Sequence, residues 1–177
     1  SNTMSSNKGS GVYAKANIHN TQLVYDMAMS ANVISANYQK GVWIDGGINA
    51  NFSRNSISYN MYGVFYTATK NNLVKFNDIY HNTYGMNVTS GATVNAEHNY
   101  WGDPSGPFHI SLNPTGKGNP VNGDGTDLDF IPFLSAPIGY INQRPVANLK
   151  VDKTKVAINQ VVTFDASASL PSVPTGY

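Results

Sequence analysis

Gly41-Val-Trp-Ile44, Gly63-Val-Phe-Tyr66 and Gly85-Met-Asn-Val88 are three versions of one phrase, set 22 residues apart. A second phrase, Asn-x-Ile-x-x-Asn, keeps the same step. It reads Asn55, Ile57, Asn60, then Asn77, Ile79, Asn82, and a copy 23 residues earlier gives Asn32, Ile34, Asn37. Asn99 opens a closing version in which Trp101 holds the isoleucine place. A repeat of this kind decides the architecture before any single element does.

A 22-residue period is shorter than the ~33–47 residues of helix-pair repeats, and the spaced leucines of leucine-rich repeats are missing. What remains is an all-β solenoid, a right-handed parallel β-helix whose short strands stack at about 4.8 Å. Equivalent positions then lie above one another. Ile34, Ile57, Ile79 and Trp101 are expected in one interior column, and Asn55, Asn77 and Asn99 in an asparagine ladder whose amides bond along the stack. Gly41, Gly63 and Gly85 are expected where the chain turns with positive φ. Strand alternation points Val42, Ile44, Val64, Tyr66, Met86 and Val88 inward, and Trp43, Phe65 and Asn87 outward. An earlier Gly11-Val-Tyr-Ala14 stands 30 residues before Gly41, so the first coil carries an insertion, placed around Thr21–Met29.

Composition agrees. Of 177 residues, 41% are hydrophobic, enough to bury a core, and only 12% are charged against about 25% in ordinary domains. Asn, Ser, Thr, Gly and 11 Tyr supply the polar and aromatic character, which suits strands and turns. A net charge of +1 makes no electrostatic case for nucleic acid or an anionic membrane. The absence of cysteine excludes disulfides, thiol catalysis and Cys-bound zinc. No apolar run approaches the ~18 residues of a membrane span. No signal peptide begins the chain, its opening Ser1-Asn-Thr3 reads as a cloning remnant, and the pattern starts in mid-repeat. An excised piece of a longer protein is expected.

From Asp103 the repeat stops and turn-rich sequence follows, which is not expected to continue the solenoid. Phe130, Ile131, Phe133 and Leu134 are expected to fold back as a cap over the last coil. The organisation expected is coils and cap over 1–134, a linker over 135–143 and a separate segment over 144–177.

VNAEHNYWGDPSGP (94–107) and GKGNPVNGDGTDLDFIPFL (116–134) resemble the closing segment of parallel β-helix repeat proteins, a pectate-lyase-like group that includes archaeal and bacterial surface proteins. The likeness covers most of 11–134 and implies the fold far more than any activity. RPVANLKVDKTKVAINQVVTFDASASLP, from Arg144, resembles the opening of a PKD domain, an immunoglobulin-like sandwich of surface-layer and secreted proteins. Such a sandwich needs about 100 residues. The later Trp-Asp-Phe-Gly-Asp-Gly motif is missing, so this piece is expected to pair elsewhere, on the helix flank or by strand exchange with a neighbouring chain.

Lyases and epimerases on such folds are expected to set Asp, Arg, Lys or His outward on successive coils. The candidates are Asp45, Lys75, Asp78, His81 and His98, but Asp45 has only Thr67 and Thr89 in its column and the others face different ways. Tyr13, Trp43 and Phe65 form an outward aromatic column that offers sugar rings apolar area and a π-surface. Cover by the tail or by a partner is the competing reading. Asp124, Asp127 and Asp129 have a spacing loosely like a calcium loop, without its bidentate glutamate. His19, His81, His98 and His109 show no paired spacing for zinc or copper. Asn51-Phe-Ser53 and Asn87-Val-Thr89 are glycosylation sequons, with Asn87 expected outward. The expected role is a non-catalytic, extracellular or cell-surface module, structural or carbohydrate-binding, neighboured by other surface-protein domains. A polysaccharide lyase, epimerase or hydrolase is the alternative.

Overall fold

The computed structural model describes residues 2–15, 27–89, 91–123, 126–141, 150–152, 157 and 160–165. They belong to two compact units, Ser1–Ile138 and Gly139–Tyr177. In the first, β1 (Thr3–Ser5), β2 (Val12–Lys15) and β3 (Ala28–Ser30) make one coil, and β4 (Val33–Ser35), β5 (Lys40–Ile48) and β6 (Asn51–Ser53) the next. β7 (Ser56–Ser58), β8 (Tyr62–Lys70) and β9 (Asn72–Lys75) follow, then β10 (Asp78–Tyr80), β11 (Tyr84–Thr89) and β12 (Val94–Asn95). Each coil gives one strand to each of three parallel sheets. The chain is a parallel β-helix.

Register follows the repeat. Ile34 lies over Ile57 and Ile57 over Ile79, with Met4 beneath Ile34. Tyr100 bridges Asp78, which brings Trp101, fully buried, to the isoleucine place. Val42, Val64 and Met86 form a second interior column, and Ile44, Tyr66 and Val88 a third, each residue at most 4% exposed. Partner offsets of 30 residues at the first corner and 23 at the next coil's place the extra length between Lys15 and Ala28. The expected insertion was drawn too far: Ala28–Ser30 is strand, paired with β6, while 21–26 lie outside the described residues.

Two asparagine ladders run the length of the coils. In the first, Asn2, Asn32, Asn55 and Asn77 each pass both backbone N–H and side-chain Nδ2 to the Oδ1 of the next, at 2.9–3.3 Å, and the ladder ends on Asn99. The second joins Asn7, Asn37, Asn60 and Asn82 in the same way and ends on Asn119. The amides also donate to carbonyls of the preceding coil, as Asn77 does to Phe52 at 2.9 Å. These residues sit at corners where the strand ladder is interrupted, so the side chains stand in for missing backbone partners.

Positive φ falls immediately before those asparagines and not at the repeat glycines. Ala31, Arg54, Phe76 and His98 precede the first ladder, and Ser6, Ala36, Tyr59 and His81 the second, all with φ of 53–59°. Gly41, Gly63 and Gly85 have ordinary φ, which corrects the sequence expectation. Glycine is needed there for space. A Cβ on Gly63 would stand 2.6 Å from the Gly85 carbonyl oxygen, 3.0 Å from Ile79 and 3.1 Å from the Asn82 amide.

The turn-rich segment after Asp103 does continue the solenoid, contrary to expectation. β13 (Val121–Asn122) adds to β11, β14 (Leu128–Asp129) adds to β12, and Leu134 bridges Tyr100. Two-residue strands are too short to show a period, but the open edge of the last coil supplies their partners. Val121, Leu128, Phe130 and Leu134 close the core, while Ile131 remains half exposed. A short helix α1 (Ile138–Ile141) follows. In the second unit β15 (Lys150–Val151) pairs antiparallel with β16 (Phe164–Asp165). Among the described residues no helix is long and apolar enough to cross a membrane.

Two stability measurements test this packing. Asn77 is fully buried and saturated with hydrogen bonds, so Asn77→Ala leaves several groups unpaired and costs about 3 kcal/mol or more. The exposed Asn51→Ala changes urea stability by less than about 0.5 kcal/mol. Tyr66 is also fully buried, but its hydroxyl has no partner among the described residues, and burial pushes its pKa well above the usual tyrosine value. Tyr66→Phe keeps the stack on Phe52 and is expected to stabilise by about 1 kcal/mol in the same titration.

Candidate ligand face

β2, β5, β8 and β11 place their outward residues in columns, and the aromatic ones fall together. Tyr13 lies over Trp43 and Trp43 over Phe65 in register, with Asn87 and Asn122 continuing the line. The Tyr13 and Trp43 rings stack at 4.3 Å, and Phe65 meets Trp43 edge-on at 6.3 Å. Beside them runs Lys40, Tyr62 and Tyr84, also in register. Tyr62 stacks on Tyr84 at 5.2 Å and meets Phe65 edge-on. The Lys40 Nζ sits 4.1 Å from the centre of the Trp43 ring and 4.9 Å from that of Phe65, within cation–π range.

This geometry limits what the face offers. Trp43 has Tyr13 stacked on it and a cation over its ring, so it is not a bare platform. The open surfaces belong to Tyr13, 49% exposed, and Tyr84, 39% exposed. Lys40, Tyr62 and Tyr84 stand one residue before each repeat glycine, a signal at the 22-residue step that marking the glycines alone passes over.

The face continues round the corner into an open groove of about 950 Å³. Tyr38, Tyr59 and Met61 are its exposed apolar residues, and Lys8 and His81 its basic ones. His81 Nδ1 lies 2.8 Å from the Tyr59 hydroxyl. Both residues hold the positive φ that precedes the second asparagine ladder, so the corner turns their side chains outward.

The acid–base candidates are not gathered. Asp45 faces Lys15 at 3.7 Å and accepts from the Tyr13 hydroxyl at 3.3 Å. Lys75 pairs with Glu97 at 2.6 Å. Asp78 accepts from the Ile138 amide at 2.7 Å. His98 stacks flat on Phe76, 5.4 Å away, at the opposite corner from His81. His109 is buried in the cap, and His19 lies outside the described residues.

Asp124 also lies outside them. Asp127 and Asp129 flank the inward Leu128, and Asp129 accepts from the Ile131 amide at 3.2 Å. Among the described residues no three His, Asp or Glu side chains are grouped to hold a metal. Of the sequons, Asn51 is exposed on β6, while Asn87 is half-buried and accepts from Asn122 at 2.8 Å.

A family model described as the right-handed beta helix region matches residues 1–107. The chain belongs to that family. No curated protein and no solved structure matches it. The match covers the regular coils of this right-handed β-helix and stops within the turn-rich cap.

One ion pair on the β-helix gives a signed pH dependence. The Lys75 hydrogen bond, with a smaller one from Asn95, holds the Glu97 carboxyl below its usual range against the opposing effect of burial. A lowered folded-state value means that the pair stabilises above the unfolded carboxylate range and that this is lost as pH falls through the folded value. Glu97→Gln should therefore cost up to about 1 kcal/mol at neutral pH. The difference from wild type should shrink as pH falls below the usual carboxylate range and through the lowered folded-state value, as read from urea midpoints.

Proposed function

We propose that this β-helix is a non-catalytic, glycan-contacting rod of an extracellular or cell-surface protein, with the aromatic columns of β2, β5, β8 and β11 as its contact face. The observation that carries this reading is the clustering of Tyr13, Trp43, Phe65, Tyr62 and Tyr84 in two adjoining outward columns. Aromatic rings give apolar area at low entropic cost, and the tyrosine hydroxyls and the Lys40 ammonium add donors for sugar hydroxyls or carboxylates. A polysaccharide lying along the coil axis would meet Tyr13, Lys40 and Tyr84 in turn. The dispersal of Asp45, Lys75, Asp78, His81 and His98, each engaged with a neighbour, favours contact over turnover.

The likeness of the segment from Arg144 to a PKD opening supports the location and a run of surface domains around the rod. In the second unit Val161 and Phe164 are 76% and 65% exposed, which fits a sandwich face meant to be covered by further strands.

Affinity electrophoresis and glycan arrays of the whole chain, with neutral and acidic polysaccharides, test the proposal. Tyr13→Ala and Tyr84→Ala each remove a half-exposed ring and are expected to weaken binding about tenfold, or about 1.4 kcal/mol. Retention unaffected by both would defeat the assignment of the face. Release of unsaturated sugar products, followed by absorbance, would replace it with a lyase.

A further inference from the structure

Asparagine builds the ladders of this chain, and it is also a thermolabile residue. Its side-chain carbonyl carbon lies near the backbone nitrogen of the next residue, so attack within the chain needs no second reactant. A glycine in second place leaves that approach open, because it has no Cβ. Glycine follows asparagine once in the sequence, at Asn122-Gly123. Asn55-Ser56 also has a small second residue.

The fold treats the two pairs differently. Asn55 belongs to the first ladder and is 2% exposed. Its Oδ1 accepts from both nitrogens of Asn32, at 3.0 and 3.1 Å. Its Nδ2 donates to Asn77 Oδ1 at 2.9 Å and to the Met29 carbonyl at 3.0 Å. The Ser56 N–H donates to the Asn32 carbonyl at 2.9 Å. The carbonyl, the amide that would leave and the nitrogen that would attack are all held, inside the stack of coils.

Asn122 is held far less. It is exposed, and it ends β13, a strand of two residues paired with Met86 and Asn87. Among the described residues its side chain makes one hydrogen bond, from Nδ2 to Asn87 Oδ1 at 2.8 Å, and that bond is itself exposed. Gly123 is tied by its carbonyl to His109 Nε2 at 2.6 Å. Both residues of the pair line the open groove of about 570 Å³ in the cap, so water reaches them. Opening the last residue of so short a strand costs little beside opening the core.

We propose that Asn122-Gly123 is a self-modifying site, at which the chain converts its own asparagine to aspartate and isoaspartate. The Gly123 nitrogen, on losing its proton, bonds to Asn122 Cγ. The Cγ–Nδ2 bond breaks, Nδ2 takes up a proton and leaves as ammonia, and a succinimide ring closes. Water then opens the ring. Breaking the bond from the Gly123 nitrogen to Cγ leaves aspartate. Breaking its bond to the main-chain carbonyl carbon of Asn122 leaves isoaspartate, with the backbone routed through the side chain. One water is consumed and one ammonia released, and nothing is oxidised or reduced.

The change falls where the outward line of Tyr13, Trp43, Phe65 and Asn87 ends on Asn122. Either product replaces the Nδ2 donor with a carboxylate, so Asn87 must turn its amide to keep a bond. The isoaspartyl link also adds a methylene group to the main chain, between β13 and the carbonyl that holds His109. The site stands whether or not that face binds sugar.

Peptide mapping of the whole chain, with fragment-ion sequencing, tests it after incubation at mildly alkaline pH, folded or in guanidinium chloride. In the folded chain the mass gain of amide-to-acid conversion should appear first at residue 122, with isoaspartate among the products. Folding should slow conversion less than about tenfold at Asn122 and more than about a hundredfold at Asn55. Asn122→Gln, at an exposed position, removes the succinimide route and should leave residue 122 unconverted over the same time. A folded chain that keeps the Asn122 amide, equal protection of Asn122 and Asn55, or conversion without isoaspartate would overturn the site.

Discussion

The corner is the constraint on which the whole rod depends. Three sheets can stack around one core only if the chain bends sharply between them, and at a bend the parallel strand ladder loses its partners. In this chain a residue of positive φ makes the bend and the next residue, asparagine, repairs the loss. Its Oδ1 takes the N–H of the asparagine in the coil before, and its Nδ2 reaches carbonyls that would otherwise stay unpaired. Each asparagine is both a substitute backbone acceptor and a tie to the neighbouring coil. Because every member needs another at the same place one coil away, the ladders also lock the register, and register sends Ile57 onto Ile79 rather than out to water.

The same corners explain what the outside of the rod looks like. Positive φ strains any residue but glycine by about 1 kcal/mol or more, yet Arg54, Tyr59, Phe76, His81 and His98 occupy these positions. The neighbouring asparagines hold the backbone there, so the position is free to carry a large side chain outward. Tyr59 with His81, and Phe76 with His98, consequently pair coil to coil. Stacking at strand spacing does for the outward aromatics what it does for the core: it brings Trp43 between Tyr13 and Phe65. It also consumes part of the surface it creates, since a ring stacked on its neighbour has less face to offer a ligand.

At the cap the balance of forces changes. The last coil exposes an edge, and irregular sequence rich in Gly and Pro finds just enough strand to satisfy it. Asn119 ends one ladder and Leu134 bridges Tyr100, both from outside the repeat. Gly106, with φ of 79°, lies where a side chain would strike the Phe133 ring. A buried histidine and the Asn113 side chain then secure the tip with directional bonds to the Gly123, Ser105 and Pro107 carbonyls.

The 22-residue period by itself determined the fold, the inward columns and the outward pairing of Trp43 with Phe65, because a stacked coil maps sequence distance directly onto spatial neighbourhood; Tyr13 joins that line from a repeat phrase set 30 residues earlier. The ladder of Asn55, Asn77 and Asn99 was legible for the same reason; Asn37, Asn60 and Asn82 stood in the repeated phrase without being read as a second ladder, and Asn2, Asn7 and Asn119 lie off the 22-residue step. The reason for the repeat glycines was misread: glycine answers equally to a left-handed turn and to a crowded strand, and only the positions of Gly85, Ile79 and Asn82 around Gly63 distinguish the two. The tertiary structure alone decided that the segment after Asp103 adds strands and that Lys40 covers Trp43. These depend on side-chain directions and on the free edge of the last coil, and no spacing along the chain encodes either.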